Sequence, residues 1–174
     1  MKNSNDIKRF IEKAKDLRNQ EKFEEALEIL DELYIKYSNS EEVKTSLVKI
    51  LFDYGGYLND YYTLGYEKAK QLFERITQLS PNNYRAFYNL GIACFNLGQL
   101  EKAIIYLEKA LHIKPDYKYC LYNLGLVYED MEKYEDALKF YEKALEIDPG
   151  FTYALVARSE MRKKLDRLKG MNID

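Results

Sequence analysis

One pattern, written twice at a fixed spacing of 34 residues, constrains this chain more than anything else in it. Tyr84-Arg85-Ala86-Phe87-Tyr88-Asn89-Leu90-Gly91 is answered by Lys118-Tyr119-Cys120-Leu121-Tyr122-Asn123-Leu124-Gly125. Glu101-Lys102-Ala103-Ile104 is answered by Glu135-Asp136-Ala137-Leu138, and Pro81, Pro115 and Pro149 keep the same interval. A period of this length marks a solenoid, in which each unit is a small helical element that buries its apolar face only by stacking on neighbours.

The template extends toward the N-terminus. With units beginning at Ile7, Glu41, Tyr84 and Lys118, an alanine opens each second helix: Ala26, Ala69, Ala103 and Ala137. A bulky residue follows each by four: Leu30, Phe73, Leu107 and Tyr141. Residues four apart share a helix face, so the small one admits a neighbouring helix and the large one fills the space beside it. Expected helices cover about 5–19, 22–36, 66–79, 84–97, 100–112, 118–131 and 134–146. Gly98 suits a left-handed residue closing a helix, and each proline blocks helix continuation between units.

The four units span about 7–40, 41–83, 84–117 and 118–151, and a capping helix covers 152–169, all in one domain. The first unit is degenerate, as a terminal one should be, with Ala14 where Gly91 and Gly125 stand later. The second is nine residues too long, with the excess between about 52 and 65. Its first helix is expected to run on to about Tyr61, weakened at Gly55-Gly56, since glycine costs a helix interior about 1 kcal/mol relative to alanine. In the cap, Met161, Leu165 and Leu168 are expected to cover the last repeat, leaving Arg158, Arg162, Lys163, Lys164, Arg167 and Lys169 to solvent.

Charge and composition exclude several function classes. A net charge of −2 gives no general attraction to nucleic acid or an anionic membrane. The polar start and the lack of a long apolar run point to a cytoplasmic protein without a signal peptide. Cys94 and Cys120 fall on core-facing positions and read as small buried hydrophobes, not as a disulfide or metal site. With one histidine and no phosphate-binding loop or nucleophile–base couple, no enzyme, cofactor or metal is expected.

The order Leu-Gly, aromatic, Ala, bulky residue, Pro resembles the tetratricopeptide repeat (TPR), most specifically over 84–151. The resemblance implies an all-α solenoid of antiparallel helix pairs in a right-handed superhelix. It also implies that the second face of each first helix lines a concave groove for a peptide or partner helix. Those positions here are Arg85, Tyr88, Asn89, Ile92, Asn96, Tyr119, Tyr122, Asn123, Leu126 and Tyr153. Asn offers a donor and an acceptor to a peptide group, and Tyr offers contact area at low entropy cost. Some family members clamp a chaperone tail's carboxylate with Lys, Asn, Lys and Arg. Only Asn89 and Asn123 match, and Tyr88, Tyr119, Tyr122, Tyr153, Ile92 and Ala157 stand where cations belong.

A scaffold or adaptor binding a protein segment is therefore the expected function. Tyr54, Tyr57, Tyr61 and Tyr62, followed by Tyr66, form a candidate second surface. The alternative is self-assembly, a homodimer made through that insert or the cap. An RNA-binding repeat is the weaker rival, because the Asp/Glu-rich units show no basic face.

Overall fold

A computed structural model describes residues 2–61 and 65–171, with side chains from 5 to 60 and from 65 to 170. Nine helices fill these residues, packed as sequential antiparallel pairs in a TPR-like fold. They fall in two compact units, Met1–Pro81 and Asn82–Asp174.

The first unit holds α1 (Lys2–Asn19), α2 (Phe23–Lys36), α3 (Glu41–Tyr61) and α4 (Tyr66–Leu79). Ala26 with Leu30, and Ala69 with Phe73, are fully buried, as the four-residue spacing requires. Ser40 Oγ accepts from Val43 N at 3.4 Å, at the start of α3. The overlong segment is helical as far as Tyr61, without the break that a glycine pair invites. Gly55 is buried, and a Cβ there would lie 2.6 Å from Phe73 Cζ, so it is the site at which the α4 aromatic ring meets the α3 backbone. Gly56, by contrast, has open space where a Cβ would stand.

The two glycines should therefore answer mutation with opposite signs. Gly56→Ala is expected to stabilise the fold by about 1 kcal/mol through helix propensity. Gly55→Ala gains the same propensity but pushes against Phe73, and overpacking costs about 1–3 kcal/mol. Urea melts of the two variants check this; equal shifts would show that Gly55 is not a packing position.

The second unit holds α5 (Tyr84–Asn96), α6 (Leu100–Ile113), α7 (Lys118–Asp130), α8 (Tyr134–Ile147) and α9 (Thr152–Met171). Ala103 with Leu107, and Ala137 with Tyr141, are again fully buried. A Cβ on Gly91 would lie 2.8 Å from Leu107 Cγ, and one on Gly125 would lie 2.3 Å from Tyr141 Cε1. The buried stripes comprise Ala86, Leu90, Gly91, Ala93 and Cys94 on α5, and Cys120, Leu121, Leu124, Gly125 and Val127 on α7, with Cys94 and Cys120 core-facing as expected. Phe87 and Tyr128 are half-buried at their margin.

Three turns between paired helices share one device. Glu21, Gly98 and Glu132 each take a positive φ, at 61°, 69° and 59°. The next backbone N–H then reaches back to Leu17, Cys94 and Tyr128 respectively, satisfying carbonyls that a helix end leaves open. Only Gly98 was legible from residue type; the glutamates occupy the same conformation against their preference.

The cap α9 packs through Ala154, Ala157, Met161 and Leu165 onto Leu121, Ala137, Tyr141, Ala144 and Leu145. Leu168, expected to join them, is 39% exposed: it lies beyond the last turn that α8 can cover. Arg162 pairs with Glu142 of α8 at 2.5 Å.

Candidate functional site

All ten expected groove residues lie in the second unit, on α5, α7 and the start of α9. Asn83 sets the start of α5: its side-chain oxygen accepts from Arg85 N at 3.2 Å and Ala86 N at 3.3 Å. With the apolar stripes turned inward, Tyr88, Asn89, Ile92, Tyr122, Asn123 and Leu126 are half-buried, and Arg85, Asn96, Tyr119 and Tyr153 are exposed.

The aromatic residues form a connected series. Tyr84 and Tyr88 each meet Tyr117 edge-on, with centroids 5.1 Å apart. Tyr117 meets Tyr119 at 5.6 Å, and Tyr119 meets Phe151 at 5.3 Å. Phe151 meets Tyr122 at 5.5 Å and Tyr153 at 5.8 Å. Edge-to-face contacts of this kind add about 0.5–1.5 kcal/mol each beyond burial. Tyr117 and Phe151, one period apart, were not among the expected residues; their shared place just before a first helix was the available signal. Lys118 sits over Tyr119 and Phe151 and pairs with Asp148 at 2.5 Å. Burial raises the Tyr88 phenol above its ordinary pKa.

The asparagines are partly committed within the protein. Asn89 Nδ2 donates to Arg85 O at 2.8 Å. Asn123 Nδ2 donates to Tyr119 O at 2.7 Å and to Tyr88 Oη at 3.2 Å, which uses both of its hydrogens. Asn123 therefore presents an acceptor, where the sequence suggested a donor and an acceptor together.

Beside this wall lies an open cleft of about 760 Å³. Tyr122, Leu126 and Tyr153 line it; the other seven expected groove residues do not. Phe95, Val156 and Ala157 complete its apolar floor. Tyr153 is 68% exposed and Val156 51%, large apolar surfaces that nothing among the described residues covers. Glu129, Asp130, Glu132 and Glu160 stand around the floor, with Lys164 as the one cation of the lining. Glu129 accepts the Tyr141 hydroxyl proton at 2.7 Å. Lys164 Nζ lies 4.0 Å from the Tyr134 ring centre, and its bond to that phenol raises its pKa. The α9 members were legible through the period: Tyr153, Val156, Glu160 and Lys164 follow Tyr119, Tyr122, Leu126 and Asp130 by 34. In register, α9 is the first helix of a further repeat that lacks its second.

The other candidate surface, in the first unit, is more closely packed. Tyr54 is 8% exposed and stacks on Phe23 with centroids 4.9 Å apart. Its hydroxyl donates to Glu24 at 3.1 Å, and Lys68 also binds that carboxylate; together they hold its pKa below the usual range. Tyr57 leans on Phe23 at 5.3 Å. Both tyrosines line a smaller depression of about 410 Å³ with Glu21, Glu24 and Glu25. The Tyr61 side chain and Tyr62 lie outside the described residues.

Cys94 and Cys120 are buried, the Cys120 thiol donating to Leu107 O at 3.1 Å with its pKa pushed up to about 12 by burial. No helix among the described residues is long and apolar enough to cross a membrane.

Paired helices with small-to-large packing, stacked at a constant period, define an α-helical repeat protein. The chain carries tetratricopeptide repeats: residues 84–117 and 119–151 each match that repeat. The fold is similar to that of MamA, residue 41 to the end, from Desulfovibrio magneticus RS-1, at 24% identity over 94% of this chain and 87% of that one, with a TM-score of 0.69. A tetratricopeptide repeat protein from Parabacteroides merdae is similar at 22% identity over 91% and 61%, with a TM-score of 0.70. The first TPR of Spaghetti (RPAP3), solved with the HSP90 peptide SRMEEVD, is similar at 23% identity over 68% and 93%, with a TM-score of 0.61. No curated protein matches the sequence. TPR domains are generally protein–protein interaction modules, and the scaffold is typically non-catalytic.

Proposed function

We propose that this protein is a scaffold or adaptor whose second unit holds a segment of another protein on the face made by α5, α7 and α9. The observation that carries the reading is the cleft, where exposed Tyr153 and Val156 flank Tyr122 and Leu126. Contiguous apolar surface ringed by polar groups is the signature of an interaction site. Tyr122 and Tyr153 are the anchors. The free Oδ1 atoms of Asn89 and Asn123 accept from backbone N–H groups of the segment where it continues along the aromatic wall. Arg85, Tyr88, Ile92, Asn96 and Tyr119 border that path.

The test is affinity capture from native lysate, followed by calorimetry of the captured partner against variants. Tyr153→Ala is expected to weaken binding by about 2 kcal/mol, as loss of an aromatic anchor does. Asn89→Ala with Asn123→Ala is expected to cost about 1–3 kcal/mol of affinity through unpaired peptide groups. Tyr153→Ala should lower the melting temperature by only a few degrees, because that side chain is largely exposed and gives up only its ring contacts with Phe151 and Tyr122. Wild-type affinity in both folded variants would remove this face as the site.

A further inference from the structure

We infer that the cleft selects a cationic amphipathic segment of a partner protein, with Lys or Arg flanking large apolar residues; this rests on the cleft being the binding site. Four carboxylates surround its floor against one ammonium, although the whole chain carries only −2. The lining of this cleft is thus net negative. None of Glu129, Asp130, Glu132 and Glu160 is in a salt bridge among the described residues, whereas Glu24, Asp31, Asp53, Glu142 and Asp148 elsewhere each are. Lys164, the one opposing charge, rests on the Tyr134 ring.

The floor and its surround have different consequences. Tyr122, Leu126, Tyr153 and Val156 provide apolar area for two or three large side chains, which supplies affinity. The carboxylates supply selection and steering, since they attract a basic segment and repel an acidic one or a nucleic acid backbone. Glu160 and Lys164 stand where the period places Leu126 and Asp130 one repeat earlier, so α9 alters the face it continues. An acidic tail would enter this cleft against four like charges that Lys164 offsets only in part.

The probe is a fluorescent synthetic peptide of about eighteen residues, five helical turns, with Leu and Lys at helical spacing. Its counterpart has every Lys replaced by Glu. Anisotropy with the full chain is expected to show binding of the Lys peptide that weakens as salt rises, and at least about tenfold weaker binding of the Glu peptide. Asp130→Lys, Glu132→Lys and Glu160→Lys together, all at exposed positions, should reverse that preference. Equal binding of the Lys peptide by wild type and this variant would overturn the proposal. So would a Glu peptide that binds wild type as well. Tyr153→Ser with Val156→Ser separates the two levels of the reading. If both peptides lose binding in that variant but charge reversal changes nothing, the cleft is the site and the charge selection is wrong. If neither variant affects either peptide, the cleft itself is refuted. Light scattering of the chain alone must show one species at all concentrations; a dimer dispersed by the charge reversal would make the occupant a second copy and overturn the partner assignment.

Discussion

A chain ended at Phe151 is expected to lose most of the stability of its second unit and to aggregate. Without α9, the faces of Leu121, Ala137, Tyr141, Ala144 and Leu145 that it covers would meet water. Met161 and Leu165 are 1% and 8% exposed, and burying such a side chain contributes about 1.5–3 kcal/mol. Ala154 and Ala157 add smaller amounts. The sum is several kcal/mol, against about 5–15 kcal/mol for a whole domain. Terminal repeats require a cap for this reason. Circular dichroism melts should show the transition falling by more than about 10 °C. Light scattering should show particles larger than the intact chain. In the full-length protein, Met161→Ala should reproduce part of the loss, about 2–5 kcal/mol. A shortened chain that melts like the original and stays dispersed would mean that α9 is an appendage.

Substitution of Tyr141 is expected to have the second-largest effect. Its side chain is fully buried against Gly125, and its hydroxyl reaches Glu129 at 2.7 Å. Burial and that carboxylate both raise the phenol's pKa, so it remains a donor. Tyr141→Ala leaves a ring-sized cavity and should cost about 3–5 kcal/mol, by analogy with other aromatic truncations. Gly125→Ala should also destabilise, because a Cβ would sit 2.3 Å from the ring, and overpacking at about 1–3 kcal/mol exceeds the gain of about 1 kcal/mol in helix propensity. The two sites should be strongly coupled. Ala14 stands sixteen residues before Leu30, as Gly125 stands before Tyr141, so alanine opposite leucine is a pairing this chain already uses. Gly125→Ala should therefore cost little when Tyr141 is replaced by Leu. A urea-melt double-mutant cycle should give a coupling above about 1 kcal/mol. Additive effects would show that the ring and the glycine do not meet.

By itself the sequence determined the helix pairs, their turns and their core positions. Each depends on neighbours within one or two helical turns: Ala26 with Leu30, Ala137 with Tyr141, and the proline near the end of each of the last three units. A 34-residue period repeats those local rules, so seven expected helices and the cap lie within a few residues of the observed ones. The TPR resemblance named the face that could bind. Only the tertiary structure decided what that face presents. Gly55 looked like a weak point in a helix and is a contact with Phe73, because α4 delivers the ring from eighteen residues away. Asn123 gives one amide hydrogen to Tyr119 O of its own helix and the other to Tyr88, a residue of the preceding repeat. The acidic cleft exists because α9 places Glu160 and Tyr153 beside Glu129 and Tyr122 of α7. Contacts of this kind are set by the register between helices packed side by side, and residue type along one helix carries no record of what the next helix brings to it.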